Sequence, residues 1–218
     1  MASLRTLVFI TLLATALVTP PASATPTQAI PIATARTLPL GTVVTVHGTV
    51  TTQPGAFESS FFDKGFALQD ASAGIYISLP TKLDAKPGHR ARVTGTLRDS
   101  FGLLILVPTT DTDVTLGHPG PPIPPKWVPT SGVNESTEGR LVRVFGKVTQ
   151  TPTSDLPFGH KFWVDDGSGE VQVFVNLETG IDVTTFHPGQ RMLITGFSGQ
   201  FNADYEILPR SPHDIRTH

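Results

Sequence analysis

The sequence contains no cysteine. That excludes disulfides, thiol catalysis and zinc sites built on cysteine, so the fold has to rest on its apolar cores. Charged residues are scarce at 16% and form no basic run, which argues against broad attraction to a polyanion. Beyond the first two dozen residues no segment is long and apolar enough for a transmembrane helix, so no membrane span is expected. Long helices are disfavoured as well. Glycine and proline number 20 each, a density that suits short strands joined by turns.

The N-terminus reads as a leader. One positive charge in Met1 to Arg5 precedes an apolar run, Leu7 to Val18, too short to span a bilayer. Small residues follow at Ala22 and Ala24. This three-part pattern predicts a secretory signal peptide over 1–24, cleaved after Ala24, and hence a secreted (periplasmic or extracellular) protein. The short, Ala-rich signal looks bacterial, so the Asn134-Glu135-Ser136 sequon carries little weight. Without Arg5 the chain has 15 basic and 18 acidic side chains, counted from 16 and 18 in the whole sequence, for a net charge near −3.

The remaining chain contains itself twice. Gly41 to Thr52 (GTVVTVHGTVTT) aligns with Gly139 to Gln150 (GRLVRVFGKVTQ), and Phe66 to Ile75 aligns with Phe162 to Val171. Pro87 to Gly95 aligns with Pro188 to Gly196, and Pro108, Asp113 and Val114 match Pro209, Asp214 and Ile215. Four blocks recur in one order, with the offset drifting only in loops, where insertions are tolerated. Between the copies runs a proline-rich stretch that cannot enter a sheet interior and reads as a semi-rigid linker over 118–133. The expected domains are 25–117 and 134–218. Trp127 is expected to pack on a domain surface and pin the linker.

Each copy reads as five strands. Val43, Val44, Val46 and Val50 lie on a long first strand bent at Gly48, and Val142, Val144 and Val148 repeat this around Gly146. A hairpin follows, then a short connection over Pro80 to Lys86 or Leu177 to Phe186, then two more strands. That order predicts an all-β chain of two tandem five-stranded Greek-key barrels of the OB type. The runs Ala33 to Val50 and Gly65 to Ile77 resemble the OB-like modules of bacterial secreted proteins, which accompany extracellular nuclease domains. The resemblance covers 33–116 well and 134–217 less closely. It implies nucleic-acid-binding-like OB domains, and nothing in the chain is left over to be a nuclease.

Repeat comparison prunes the candidate chemistry. His47 aligns with Phe145 and His89 with Gln190, and no pair among the seven His has ligand spacing, so no metal is expected. Asp165-Asp166-Gly-Ser-Gly-Glu170 has oxygen ligands at calcium-like spacing, but the aligned Asp70 to Gly74 has lost most of them. A hairpin turn organised by Asp is the better reading. There is no Gly-x-Ser-x-Gly elbow, activated hydroxyl or phosphate-cradling loop. No enzyme activity and no cofactor are expected.

The second and third strands carry the informative pattern. With Asp166 opposite Val171, Phe162 faces Val175 and Val164 faces Val173 on the inner side, while Trp163 faces Phe174 and Asp165 faces Gln172 outside. The same pairing in the first copy sets Gln69 opposite Tyr76 and Ala67 opposite Ser78. OB barrels commonly hold oligonucleotides or oligosaccharides on this outer face, where aromatics stack on bases. Trp163, Phe174 and Tyr76 are therefore candidate ligand contacts, with Lys161, Arg140 and Arg143 for phosphates and Lys147 nearby. A docking patch between the two domains explains the same aromatics, and both readings stand. Arg90, Arg92 and Arg98 read as a solvated strand face. The expectation is a secreted, non-enzymatic module binding single-stranded DNA or RNA. Its rivals are an envelope module binding a protein or glycan, and an accessory subunit beside a separately encoded nuclease.

Overall fold

A computed structural model describes residues 28–59 and 61–218. The expected signal peptide lies outside the described residues. The first copy contains β1 (Val43–Thr52), β2 (Phe66–Gln69), β3 (Gly74–Ile77), β4 (His89–Ser100), β5 (Leu103–Val107) and β6 (Val114–Pro119). The second contains β7 (Lys126–Trp127), β8 (Leu141–Val148), β9 (Thr153–Asp155), β10 (Gly159–Asp165), β11 (Val171–Asn176), β12 (Arg191–Phe201), β13 (Asp204–Leu208) and β14 (Ile215–Thr217).

The first copy has strand order β1-β2-β3-β5-β4-β6, and β1 also pairs with β4, which closes a five-stranded barrel. β3 and β5 run parallel. The second copy repeats this as β8-β10-β11-β13-β12, closed by β12 on β8, with β11 parallel to β13. Both are OB barrels by strand order. The bend expected in the first strand is what permits closure: β1 pairs with β4 up to Thr49 and with β2 from Thr49 onward. β6 and β14 each add an edge strand beyond the closed barrel. The proline-rich segment ends in a ladder at both sides, with Pro119 opposite His89 on β4 and Lys126–Trp127 parallel to β8.

Alternation along the strands fills each barrel. Val44, Val46, Phe66, Leu68, Ile75, Ile77, Val93 and Leu97 form one core, closed at an end by Ile32 and Ala35 of a short helix, α1 (Ile32–Ala35). Val142, Val144, Phe162, Val164, Val173, Met192 and Ile194 form the second.

The hairpin register differs from the sequence expectation by two residues in both copies. Phe162 faces Val173, Trp163 faces Gln172 and Lys161 faces Phe174. Ala67 faces Tyr76, and Gln69 faces Gly74. A two-residue slip keeps each side chain on its face, so the inner set stands while Trp163 and Phe174 are no longer a facing pair. The β10–β11 pairing ends at Val164 opposite Val171, and the aspartates beyond each hairpin ladder bond to the turn instead. Asp70 Oδ1 accepts the amides of Ser72 (2.7 Å) and Ala73 (2.8 Å). Asp165 Oδ1 accepts those of Gly167 (2.7 Å) and Gly169 (3.2 Å).

The same turns hold the segment that enters each barrel. The Ile32 amide donates to Asp70 Oδ2 (2.9 Å) and the Ala33 amide to Ser72 Oγ (3.0 Å). In the second copy the Thr130 amide donates to Asp166 Oδ2 (3.2 Å) and the Ser131 amide to Ser168 Oγ (3.1 Å). Burial opposes ionisation of Asp70, yet the Ile32, Ser72 and Ala73 donors hold its carboxyl below the usual range. Hydrogen bonds from Ser168 and Thr130 hold Asp166 down at about 2. These repeat-shared bonds assign the Asp turn a structural task.

A third apolar cluster joins the barrels. Ala67, Tyr76, Leu103 and Ile105, on the outer face of β2, β3 and β5, close with Phe57 on Phe197 and Leu208 outside the second barrel. The Phe57 and Phe197 rings lie 5.1 Å apart and those of Tyr76 and Phe197 6.1 Å. Around this patch, Leu141 N donates to Gln69 Oε1 (3.0 Å), Arg36 Nη2 donates to Glu138 Oε1 (2.9 Å), and Arg140 donates to the Ser72 carbonyl. The β4–β5 and β12–β13 tips also meet, with the Asn202 amide donating to Phe101 O (2.6 Å) and the two Phe rings, 101 and 201, 5.4 Å apart. An apolar, hydrogen-bonded junction of this kind opposes the relative motion expected of loosely joined domains.

Candidate nucleic-acid interface

The six side chains nominated from the sequence do not form one site. Tyr76 is 1% exposed in the junction between barrels. Its hydroxyl donates to Asp63 Oδ1 (2.7 Å), and burial followed by the Asp63 charge pushes its ionisation well above the ordinary value. A base has no access to it, so Tyr76 is corrected from ligand contact to docking residue. Arg140 is likewise engaged at the junction by its bond to Ser72. Phe174 is half-buried against the same apolar cluster. Lys161 lies 6.0 Å over the Phe174 ring and ion-pairs with Asp155 at 2.9 Å.

Trp163 remains half-exposed on the outer hairpin face, but its surroundings are acidic. Gln172, opposite Trp163, donates through Nε2 to Glu206 Oε2 (2.6 Å). Burial pushes Glu206 up to about 7, aided by the charges of Asp204 and Asp155, while Gln172 and Lys161 pull the other way. One lysine, already paired, among these carboxyl groups is a poor seat for a phosphate backbone. The first barrel cannot supply the usual OB face either, because the second barrel covers it.

Arg143 leads to a different surface. It shares the outer face of β8 with Phe145 and Lys147, since residues two apart on a strand point the same way. Register extends this face across three further strands. Arg143 lies opposite Thr195, Phe145 opposite Leu193 and Lys147 opposite Arg191 on β12. Leu193 in turn lies opposite Arg216 on β14, and Trp127 on β7 is level with Arg143. The face thus carries Arg143, Lys147, Arg191 and Arg216, interleaved with Trp127 and Phe145.

Its geometry suits a charged, flat ligand. Trp127 is 61% exposed, and Arg143 Cζ stands 5.6 Å from its ring centroid while Arg143 Nε donates to Thr195 Oγ1 (2.9 Å). The backbone of Trp127 pins the linker as expected, but its ring faces solvent. Phe145 is 39% exposed and meets the His218 ring edge-on at 5.6 Å. Among the described residues none of the four cations makes an ion pair. Lys147 lies opposite Asp165 on β10 and opposite Arg191 on β12, and like charges directly opposite on a sheet are destabilising, so the Lys147–Arg191 contact itself does not favour the fold. Beside them a depression of about 550 Å³ is bounded by Phe145, Gly146 and the turn at Asp165 and Asp166. Those two carboxylates are already engaged by turn donors.

The corresponding face of the first barrel carries Thr45, His47 and Thr49 on β1 where the second has Arg143, Phe145 and Lys147. Sequence reasoning had the signal in the alternation Arg143-x-Phe145-x-Lys147. It missed Arg191 and Arg216 because strand pairing, not sequence proximity, brings them alongside. Among the described residues no three His, Asp or Glu side chains are grouped to hold a metal ion.

Compared with family models and with curated proteins, the sequence matches none. Solved structures give loose likenesses. The tetrameric p202 HIN2 structure aligns with a TM-score of 0.40 at 13% identity, over 82% of this chain and 95% of that one. The Ifi202 HINa domain in complex with 20-base-pair double-stranded DNA aligns with a TM-score of 0.34 at 12% identity, over 81% and 99%. Fission yeast Pot1 with single-stranded DNA aligns with a TM-score of 0.37 at 10% identity, over 87% of each chain. All three scores lie below 0.5, and the fold assignment rests on the chain's own strand order.

Proposed function

We propose that the chain is a secreted, non-enzymatic module that binds single-stranded nucleic acid across the outer face of β7, β8, β12 and β14. One observation carries this reading: four cations that make no ion pair among the described residues share a sheet face with two exposed aromatic rings, and two of those cations face each other across β8 and β12. Phosphates neutralise the facing Lys147 and Arg191, while Trp127 and Phe145 offer stacking surfaces that a duplex, with its bases already stacked, does not use. Stacking on an aromatic side chain contributes about 1–3 kcal/mol per base.

Titration of the mature protein with oligothymidine, followed by tryptophan fluorescence, tests the reading. Quenching should persist in Trp163→Phe and disappear in Trp127→Phe. No quenching at low salt in any form of the protein overturns it.

A protein partner is the second reading. Phe61, Phe62, Leu156, Phe158 and Leu177 are all at least 47% exposed, and the Phe62 and Phe158 rings lie 6.1 Å apart. Exposed apolar clusters of this kind mark interaction surfaces. A protein that leaves oligonucleotides unbound would be assigned this role.

A further inference from the structure

Where the proline-rich segment crosses from β6 to β7 it helps to line a cleft of about 410 Å³ between the barrels. Pro122 to Pro125 line it together with Arg143 and Thr195 of the basic face, Gln53 of the first barrel, and Ser211. The volume lies within the range of small-molecule sites, roughly 300–1,000 Å³.

We propose that this cleft receives one nucleotide of the bound strand, its base lying between the Ile123–Pro124 wall and the Arg143 guanidinium. The inference rests on the proposed single-strand binding and gives it a fixed point. Three observations support it. The cleft continues the basic face, because Arg143 and Thr195 belong to both. Arg143 is held in place by its Nε bond to Thr195 and by the nearby Trp127 ring, and a guanidinium is a stacking partner for an unpaired base. The other polar side chains lining the cleft, the Gln53 carboxamide and the Ser211 hydroxyl, are the kind that hydrogen-bond to base edges.

The neighbouring Arg210 is a structural clamp rather than a ligand. Its Nε and Nη2 donate to Asp214 (2.8 Å each), and its Nη1 donates across the junction to Thr51 O (2.6 Å). The Gln53 side chain reaches the Arg210 carbonyl at 3.4 Å. The cleft therefore exists only while the barrels are docked, and the first barrel contributes to binding although its own OB face is covered.

The test uses the full chain with two probes, a labelled twelve-residue oligothymidine and free thymidine monophosphate. Two cleft variants, Ile123→Trp to fill the space and Gln53→Ala to remove the amide, are compared with the Lys147→Glu/Arg191→Glu double variant, after matched thermal unfolding. Each cleft variant should weaken oligonucleotide binding about five- to tenfold, the loss of roughly one base contact. The salt dependence should stay unchanged, because no phosphate contact is removed. Cleft variants that bind the oligonucleotide as tightly as the parent, while the charge reversal weakens it, overturn the cleft and leave the basic face standing. A parent protein that ignores the oligonucleotide but binds the monophosphate, with loss in Ile123→Trp, overturns the basic face and supports the cleft. Failure of both probes overturns both.

Discussion

Gly74 and Gly139 meet back to back where the barrels join, and neither position has room for a side chain. A Cβ on Gly74 would stand 2.8 Å from the Arg140 amide nitrogen and overlap the Gly139 carbonyl outright. The repeat equivalents, Glu170 and Gly41, face no such neighbour, so the contact belongs to docking and not to the barrel. Gly74→Ala should force the barrels apart at this edge and cost about 1–3 kcal/mol, as overpacking does. Small-angle scattering should show a larger radius of gyration with the far-ultraviolet circular dichroism unchanged. An unaltered scattering profile contradicts the role given to this pair.

Removing Phe197 attacks the same junction from its centre. The ring is fully buried between Phe57 and Tyr76, and truncation of a buried Phe typically costs about 3–5 kcal/mol. Phe197→Ala should lower the denaturation midpoint. It should also increase protease cleavage in the proline-rich segment, which spans the two barrels.

Glu206 predicts a pH dependence of stability. Its carboxyl titrates at about 7 when folded and at its ordinary value of 4.5 when unfolded, so the folded protein holds this proton more tightly. The contribution is complete below pH 4.5, declines between 4.5 and 7, and is absent above. The shift corresponds to the order of 3 kcal/mol. Glu138, raised by burial against the pull of Arg36, acts with the same sign. Glu206→Gln should raise the melting temperature at pH 8 by about 5 °C or more, and leave it near the parent value at pH 4.5. A melting temperature equally affected at both pH values contradicts the assignment.

The turn aspartates make a paired prediction. Asp70→Ala and Asp166→Ala each remove the acceptor for an incoming backbone amide and for the turn itself. Each should cost about 1–2 kcal/mol, the scale of a lost cap. Hydrogen exchange should rise at Ile32 and Ala33 in the first variant and at Thr130 and Ser131 in the second.

Much of this architecture is legible in the amino-acid order alone. The repeated blocks locate both barrels, and the inner alternation of Phe162, Val164, Val173 and Val175 locates a core face. The docking surface is also written in the first copy. Leu103 to Val107 is apolar at five consecutive positions, which a strand needs only when both faces are covered. Where the first copy has Ala67, Tyr76 and Ile105, the second has Trp163, Gln172 and Glu206. Weighing the aromatic count of the two faces, rather than their polarity, makes Tyr76 look like a binding residue. The hairpin register is out of reach because a turn aspartate and a strand aspartate look alike in sequence. The basic face is out of reach because Arg191 and Arg216 lie 44 and 69 positions from Lys147 (191 − 147 and 216 − 147).

The most direct measurement is the salt dependence of single-strand binding by the parent and by Lys147→Glu/Arg191→Glu. With Arg143 stacked on a base, Lys147, Arg191 and Arg216 are left as phosphate contacts, and three such contacts on a single strand give a slope of log K against log salt of about −2. That slope is expected of the parent, with a fall to about a third and weaker binding at every salt when the facing pair is reversed. Binding that ignores salt, or that survives the reversal with its slope intact, contradicts a nucleic-acid interface on this face.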